Sequence, residues 1–281
     1  MTPSSDIILG LDVGTTAAKA SLFSLDGVLR LTASREYPLL NPKPGWHVQD
    51  PDAVARGVLE AMREAVSRID PARVVGISIS TAMHGLLGLD AGLRPVTELL
   101  TWADSRAWQQ ANSLNEHSTG PRLHHTSGTP THAMSPLVKL RWIAENEPDV
   151  LSGTAHWVGL KDWVLAVLTG TVATELSTAS GSGMLDMEER AWNPEAIELS
   201  GVRPEQLPPI LDTTDMLPLS PEAAAQVGLR AGLPVVVGAG DGPLGNLGTG
   251  AMEPGQAGLS IGTSGAVRMV VRVPAVVSGL F

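Results

Sequence analysis

Cysteine is absent from this 281-residue sequence, which excludes disulfides, thiolate metal sites and cysteine nucleophiles while leaving histidine and carboxylate sites open. No apolar run is long enough to span a bilayer, and no charged-then-apolar signal precedes Ile7. The expectation is a cytoplasmic protein with no membrane partner. Basic residues are few and scattered: 19 Lys and Arg stand against 29 Asp and Glu, a net charge of -10. A nucleic-acid binder needs a basic footprint, so that class is set aside. The same charge repels anionic substrates at long range, so such a substrate would need locally placed cations. What is present is 43% hydrophobic residues, enough for a substantial core in one large domain or two small ones.

The N-terminal stretch Ile7–Thr16 reads as an apolar strand that carries Asp12 to its end, turns at Gly14 and enters a second strand-like run, Ala17–Ser24. A carboxylate at a strand tip, followed by glycine and two hydroxyls, suits a Mg²⁺-phosphate site: hard cations take carboxylate oxygen, and phosphates take N–H and O–H donors. The same residues also describe a buried strand ending in a tight turn. Leu25-Asp26-Gly27 predicts a hairpin into a third strand at Val28–Tyr37. Asp50 then caps a helix with Pro51 at its first position and Val54, Val58, Met62, Val66 and Ile69 on one face. Val74–Ser80 follows as a β-branched strand, the order a mixed or parallel sheet requires.

That strand empties into Thr81-Ala82-Met83-His84-Gly85, and ligands of open α/β sheets bind outside the carboxyl ends of strands. His84 is therefore a candidate substrate contact. Thr101–Arg106 gathers Trp102, Asp104 and Arg106, an apolar wall, an acceptor for hydroxyls and a cation, the mixture a polyol site needs; Asp104 could equally cap a helix. Ser135 and Pro136 predict a helix start, His156–Gly159 a short strand, and Lys161–Leu168 a helix stopped at Gly170.

The last third carries the sharpest pattern. A strand at Leu233–Val237 opens into a loop, Gly238–Gly245, in which Asp241 is the only acid. Gly240, Gly242 and Gly245 match G-x-G-x-x-G, so a dinucleotide site has to be weighed. The context fails, because no strand ending in an acid follows about twenty residues on. A carboxylate at Asp241 could instead take a proton from an attacking hydroxyl, the general-base role in phosphoryl transfer. Gly262-Thr263-Ser264-Gly265 repeats the hydroxyl-bearing turn of the first loop; two tight hairpins are the alternative.

Taken in order, Leu-Asp-Val-Gly-Thr-Thr at 11–16, Met83-His84-Gly85, Trp102–Arg106, Ala179-Ser180-Gly181 with Trp192 behind it, Gly240-Asp241-Gly242 and Gly262–Gly265 resemble the N-terminal domain of the FGGY carbohydrate kinases. The gluconokinase branch is most similar and the xylulokinases next. The resemblance implies an α/β, actin-like ribonuclease-H-type fold, with a mixed sheet flanked by helices, as the N-terminal domain of a two-domain sugar kinase. It implies ATP and Mg²⁺ as cofactors and a sugar or sugar acid, gluconate before xylulose, as the small-molecule partner; a homodimer is compatible with it. Carried over by position, Asp241 would be the catalytic base and touch substrate, and Asp12 would orient hydrated Mg²⁺. Gly14, Thr15, Thr16, Gly262 and Thr263 would face the phosphates, and Met83, His84, Trp102 and Asp104 would line the sugar pocket.

Two departures from the family pattern stand out. The resemblance implies a second domain, so residues 1–265 are expected to form the N-terminal domain with its pocket insertions, and 266–281 to begin the segment leading to a missing C-terminal domain; a truncated product or an expressed fragment is the expectation, with its activity alone left open. Glu175 stands where Asp is expected, a change read as shifting a surface contact. For an acidic substrate, His84, His132, Arg106 and Lys139 are the candidate cations.

Overall fold

The computed structural model describes residues 6–261 and 265–277. Period-two patterning sets its centre. In β1 (Ile7–Val13), Ile7, Leu9, Leu11 and Val13 are buried while Ile8, Gly10 and Asp12 point to the other face, as alternation along a strand demands. β1 pairs antiparallel with β2 (Ala17–Ser24), which pairs antiparallel with β3 (Leu29–Glu36).

Helix α1 (Pro51–Val66) forms where its spacing predicts but stops at Val66, leaving Ile69 beyond its end. Asp50 caps it by accepting the Asp52 N–H at 2.9 Å, an interaction that contributes about 1 kcal/mol. Val54, Val58, Ala61, Met62 and Ala65 are fully buried in the main core with Leu9, Leu11, Ala20 and Leu22. Each such side chain contributes roughly 1.5–3 kcal/mol by leaving water.

β4 (Val74–Thr81) returns parallel to β1, and β6 (Pro234–Gly240) lies parallel to β4, edged by antiparallel β5 (Met216–Pro218). The six-stranded mixed sheet thus runs β5-β6-β4-β1-β2-β3. Its three parallel strands bring Asp12, Thr81 and Gly240 to neighbouring carboxyl ends. This is the actin-like arrangement expected for an N-terminal sugar-kinase domain.

Between β4 and β5 the chain builds a second core from Leu86, Leu100, Leu123, Leu137, Leu140, Ile143, Trp157 and Met184. It includes helix α2 (Pro136–Asn146); helix α3 (Leu160–Thr169) packs into the main core through Leu160, Trp163, Val164 and Leu165, and the short helix α4 (Leu176–Gly181) follows. The helices Trp108–Asn115 and Thr119–Ser127 were not legible in the sequence. The predicted glycine loop after β6 is a helix: the strand continues to Gly240, and α5 (Asp241–Gly248) begins at once. β7 (Ala257–Ile261) and β8 (Gly265–Met269) form a separate antiparallel pair. Among the described residues no helix is long and apolar enough to cross a membrane.

Candidate functional site

At the tip of β1, Asp12 lies opposite Lys19 across the β1–β2 ladder and beside Ser80 of β4. Directly opposed residues share a face, so one exposed carboxylate and one exposed ammonium stand together at the sheet end. Ser80 Oγ donates to Asp12 Oδ1 at 3.3 Å. The following turn closes through Gly14 N–H donating to Ala17 C=O at 2.9 Å. Its carbonyls are tied back into the protein: Tyr37 OH donates to Gly14 O and Gln49 Nε2 to Thr15 O, each at 2.7 Å. Burial and then the Asp12 charge raise the Tyr37 phenol above its ordinary range, keeping it a donor. Thr16 is exposed on the same turn. Gly262 and Thr263 lie outside the described residues.

Asp241 opens α5 directly after β6. The residue is exposed at the rim, yet protein atoms crowding its carboxyl raise its pKa, and the Asp12 charge adds to this; Arg268 and the Gly242 N–H act in the opposite direction. A carboxyl held somewhat above the ordinary range is suited to accepting a proton. Arg268 projects from β8 against Gly242, where a Cβ would sit 2.7 Å from its Nε.

Met83 fills the space between two backbones. A Cβ at Gly240 would lie 2.6 Å from Met83 Cγ, and one at Gly181 would lie 2.7 Å from Met83 Cε. Glycine is therefore needed at both positions for so close an approach. His84 holds a left-handed backbone, φ 62°, unusual outside glycine, and its Nδ1–H donates to Gly181 O at 2.7 Å. Burial, with the Lys139, His132 and Arg268 charges, lowers its imidazole to about 4, against a bond to Gly181 that works the other way. The ring is neutral at physiological pH.

Trp102 donates its indole N–H to Thr15 Oγ1 at 2.9 Å, so the Thr101–Arg106 loop touches the first turn. Asp104 is buried and fully engaged. It accepts from His47 N–H, from Arg106 N–H and from two guanidinium nitrogens, all within 3.2 Å. Arg106 in turn stacks over Trp46, 3.5 Å from the ring centroid to Cζ. Asp104 thus caps no helix, since the next one starts at Trp108, and Arg106 is not a solvated cation. Lys139 is wholly buried, with Nζ donating to His84 O and Thr101 O at 2.7 Å each. The side chains of Arg106 and Lys139, candidate cations for an acidic substrate, are both buried and engaged with protein acceptors instead of presenting exposed charge.

Glu175 is corrected as well. It is fully buried rather than a surface contact. Its carboxylate caps α4 by accepting Ser177 N–H and Thr178 N–H together with both hydroxyls, and Lys161 Nζ stands 3.7 Å away. Ser177 Oγ then accepts the Gly240 N–H at 3.0 Å, bracing the residue before Asp241.

Lys19 and Arg268 were missed by sequence reasoning. Lys19 could have been found from hairpin register, which places it across from Asp12. Arg268 carries no local signal, because only folding brings β8 beside α5.

The site therefore combines two carboxylates at strand ends, a hydroxyl-bearing turn, two exposed cations and an adjoining wall of Met83, His84 and Trp102. Against known proteins, residues 7–248 match the model of the FGGY family of carbohydrate kinases, N-terminal domain. A gluconokinase from Bacillus subtilis (strain 168) is 34% identical over 268 residues, 95% of this chain and 52% of that protein. A xylulose kinase from the same organism is 30% identical, over 92% of this chain and 52% of its own length. The crystal structure of a gluconate kinase from Lactobacillus acidophilus superposes with a TM-score of 0.93 at 31% identity, covering 96% of this chain and 55% of the other. The chain spans about half the length of the curated relatives it matches.

Proposed function

The chain belongs to the FGGY family of carbohydrate kinases, and on that premise we propose that it carries the sugar-binding and phosphate-facing half of an ATP-dependent kinase whose acceptor is gluconate. The observation that carries this reading is the placement of Asp12 and Asp241 at the ends of β1 and β6, close enough for the Asp12 charge to act on the Asp241 carboxyl. Two carboxylates so placed have separate roles to fill.

Asp241 accepts the proton of the attacking hydroxyl as that oxygen turns toward the γ-phosphoryl group. Its elevated carboxyl pKa, from burial and the Asp12 charge, improves it as a base. Thr15 and Thr16 offer N–H and O–H donors to phosphate oxygens, Gly14 shapes their turn through its own bond to Ala17 O, and Lys19 adds positive charge beside them. Met83, neutral His84 and Trp102 bound the acceptor sugar. Asp104 supports this wall from behind, through Arg106 and Trp46, without an oxygen left for substrate.

Asp12 fits a Mg²⁺ that travels with the nucleotide. It is exposed, and among the described residues its side chain has one hydrogen-bond donor, Ser80 Oγ, at the long distance of 3.3 Å. Among the described residues there is no group of three or more His, Asp or Glu that could cage a metal, and Mg²⁺ normally keeps its waters and takes only one or two carboxylates. When bound, the ion neutralises charge on phosphoryl oxygens; Asp12 would hold its water shell.

Residues 1–265 are assigned to the N-terminal domain on this reading, and gluconate is favoured by the 34% identical gluconokinase. A pentulose acceptor is the second reading, favoured by the 30% identical xylulose kinase. A phosphoryl-transfer assay with ATP over gluconate, xylulose, ribulose and glycerol, paired with calorimetry for binding, separates them. Gluconate should bind and be the best acceptor, and Asp241→Asn should abolish turnover by ~10²-fold or more while sugar binding stays nearly intact. Normal turnover in that variant would remove Asp241 from the mechanism, and preferred use of xylulose would replace the substrate.

A further inference from the structure

Lys139 lies outside every role assigned above, yet it is among the largest fully buried side chains in the molecule. A buried amine must be hydrogen-bonded or it is strongly destabilising. Its two partners are backbone carbonyls on separate segments, His84 O and Thr101 O, each at 2.7 Å. The first belongs to the residue with φ 62°, a conformation that surrounding structure must impose. The second immediately precedes Trp102, whose indole reaches Thr15. The segments are also joined by the antiparallel bridge between Leu86 and Leu100, and Thr101 O accepts the Asp104 N–H at 3.1 Å as well. We propose that Lys139 is a positioning residue that pins the Met83–His84 segment to the Trp102 segment from behind and so fixes the shape of the acceptor pocket.

The chemistry suits a lysine. Two carbonyls at hydrogen-bond distance need two N–H donors from one atom, which an amine supplies in either protonation state. The Asp104–Arg106 pair beside it is electrically matched: the Asp104 charge raises the Lys139 pKa and the Arg106 charge lowers it, while burial lowers it most, to about 7. Loss of the proton therefore leaves both bonds in place. Lys139 touches no solvent and cannot itself bind the sugar, so its effect reaches the pocket only through His84 and Thr101. The inference rests on the reading of Met83, His84 and Trp102 as sugar contacts.

The test compares Lys139→Met, which keeps the stem and removes the donors, with Ile143→Ala, which opens a cavity in the same helix α2 without removing a hydrogen bond. Gluconate and xylulose binding by calorimetry, thermal midpoints and the Trp102 indole ¹H–¹⁵N resonance are recorded for each, with Trp102→Phe assigning the resonance. Lys139→Met should weaken binding of whichever sugar the wild type takes by tenfold or more and shift the Trp102 resonance. Ile143→Ala should lower the thermal midpoint by a comparable or larger amount, with affinity unchanged within twofold and the resonance unmoved. Affinity in Lys139→Met within twofold of wild type, or a loss matched by Ile143→Ala, overturns the clamp while leaving the kinase reading intact. A wild-type chain that binds no member of the sugar panel overturns the pocket reading and the clamp with it.

Discussion

The indole N–H of Trp102 donates to Thr15 Oγ1 across 2.9 Å, tying the Thr101–Arg106 loop to the turn that follows β1. The Thr15 hydroxyl accepts this bond, so its own hydrogen remains available to donate. One side chain thereby fixes the direction of another.

Trp102→Phe keeps most of the ring and deletes the donor, and Thr15→Val deletes the acceptor. A net hydrogen bond contributes about 0.5–1.5 kcal/mol, so each single change should weaken sugar affinity or turnover by roughly 2–10-fold. The double variant should lose little more than either single one, because both remove the same bond. Full additivity in this cycle, measured by calorimetry and steady-state kinetics, would show that the contact has no functional weight.

The electrostatics of Asp241 give a second prediction. Arg268 works against the burial that raises the Asp241 carboxyl. Arg268→Gln should therefore raise that pKa further, so that more of the base is protonated at a given acidic pH. The acid limb of the kcat/KM profile should move to higher pH, with little change on the alkaline side. An unmoved limb, or one displaced to lower pH, would show that Arg268 does not act on the base.

Gly238 supplies a stability prediction. It sits at the irregular register between β6 and β4 with φ 74°, and a Cβ there would stand 1.9 Å from Ile79 O. Gly232 has nearly the same φ, 76°, but nothing within 4 Å of its would-be Cβ. Gly232→Ala should cost only the backbone strain, about 1–3 kcal/mol. Gly238→Ala should cost that and the overlap with a backbone atom that cannot move aside. Chemical denaturation of both variants measures the difference, and equal midpoints would contradict the assigned close approach.

How far these features could be read from residues alone depended on whether their cause was local. β1, β2, α1 and the Asp50 cap follow from alternation, helical spacing and capping chemistry within a few residues of chain. Asp12 and Asp241 were found because strand-end acids beside glycine are a local pattern. The fates of Asp104, Arg106, Lys139 and Glu175 were not local. Each is buried against a segment tens of residues away, and a charged residue in a polar motif reads as available until its partner is known. The glycine-rich run after β6 was misread as a loop for the opposite reason: Gly242 and Gly245 weaken helix propensity, but α5 is held by its place at the strand end. Arg268 was invisible because β8 meets α5 only in the folded chain.

Buried titratable groups at the pocket predict a pH signature of stability. His84 is lowered to about 4 from an ordinary 6.5. Between those values the unfolded chain binds the proton that the folded chain refuses, so stability falls as pH drops from about 6.5 toward 4. Lys139, lowered to about 7 from 10.5, gives the same sign in a different window: the unfolded chain holds more protons between those values, so stability rises from pH ~7 toward ~10. At its steepest either group contributes about 1.4 kcal/mol per pH unit, and the carboxylates and other histidines of the chain add slopes of their own. The diagnostic quantity is therefore the difference between wild type and variant. Lys139→Met should flatten the alkaline rise. It should also lift the His84 pKa, since the Lys139 charge is one of the influences that lower it, and so narrow the acidic window. Urea midpoints measured from about pH 4.5 to 9 for both proteins check this; identical pH slopes in the two would show that Lys139 titrates normally despite its burial.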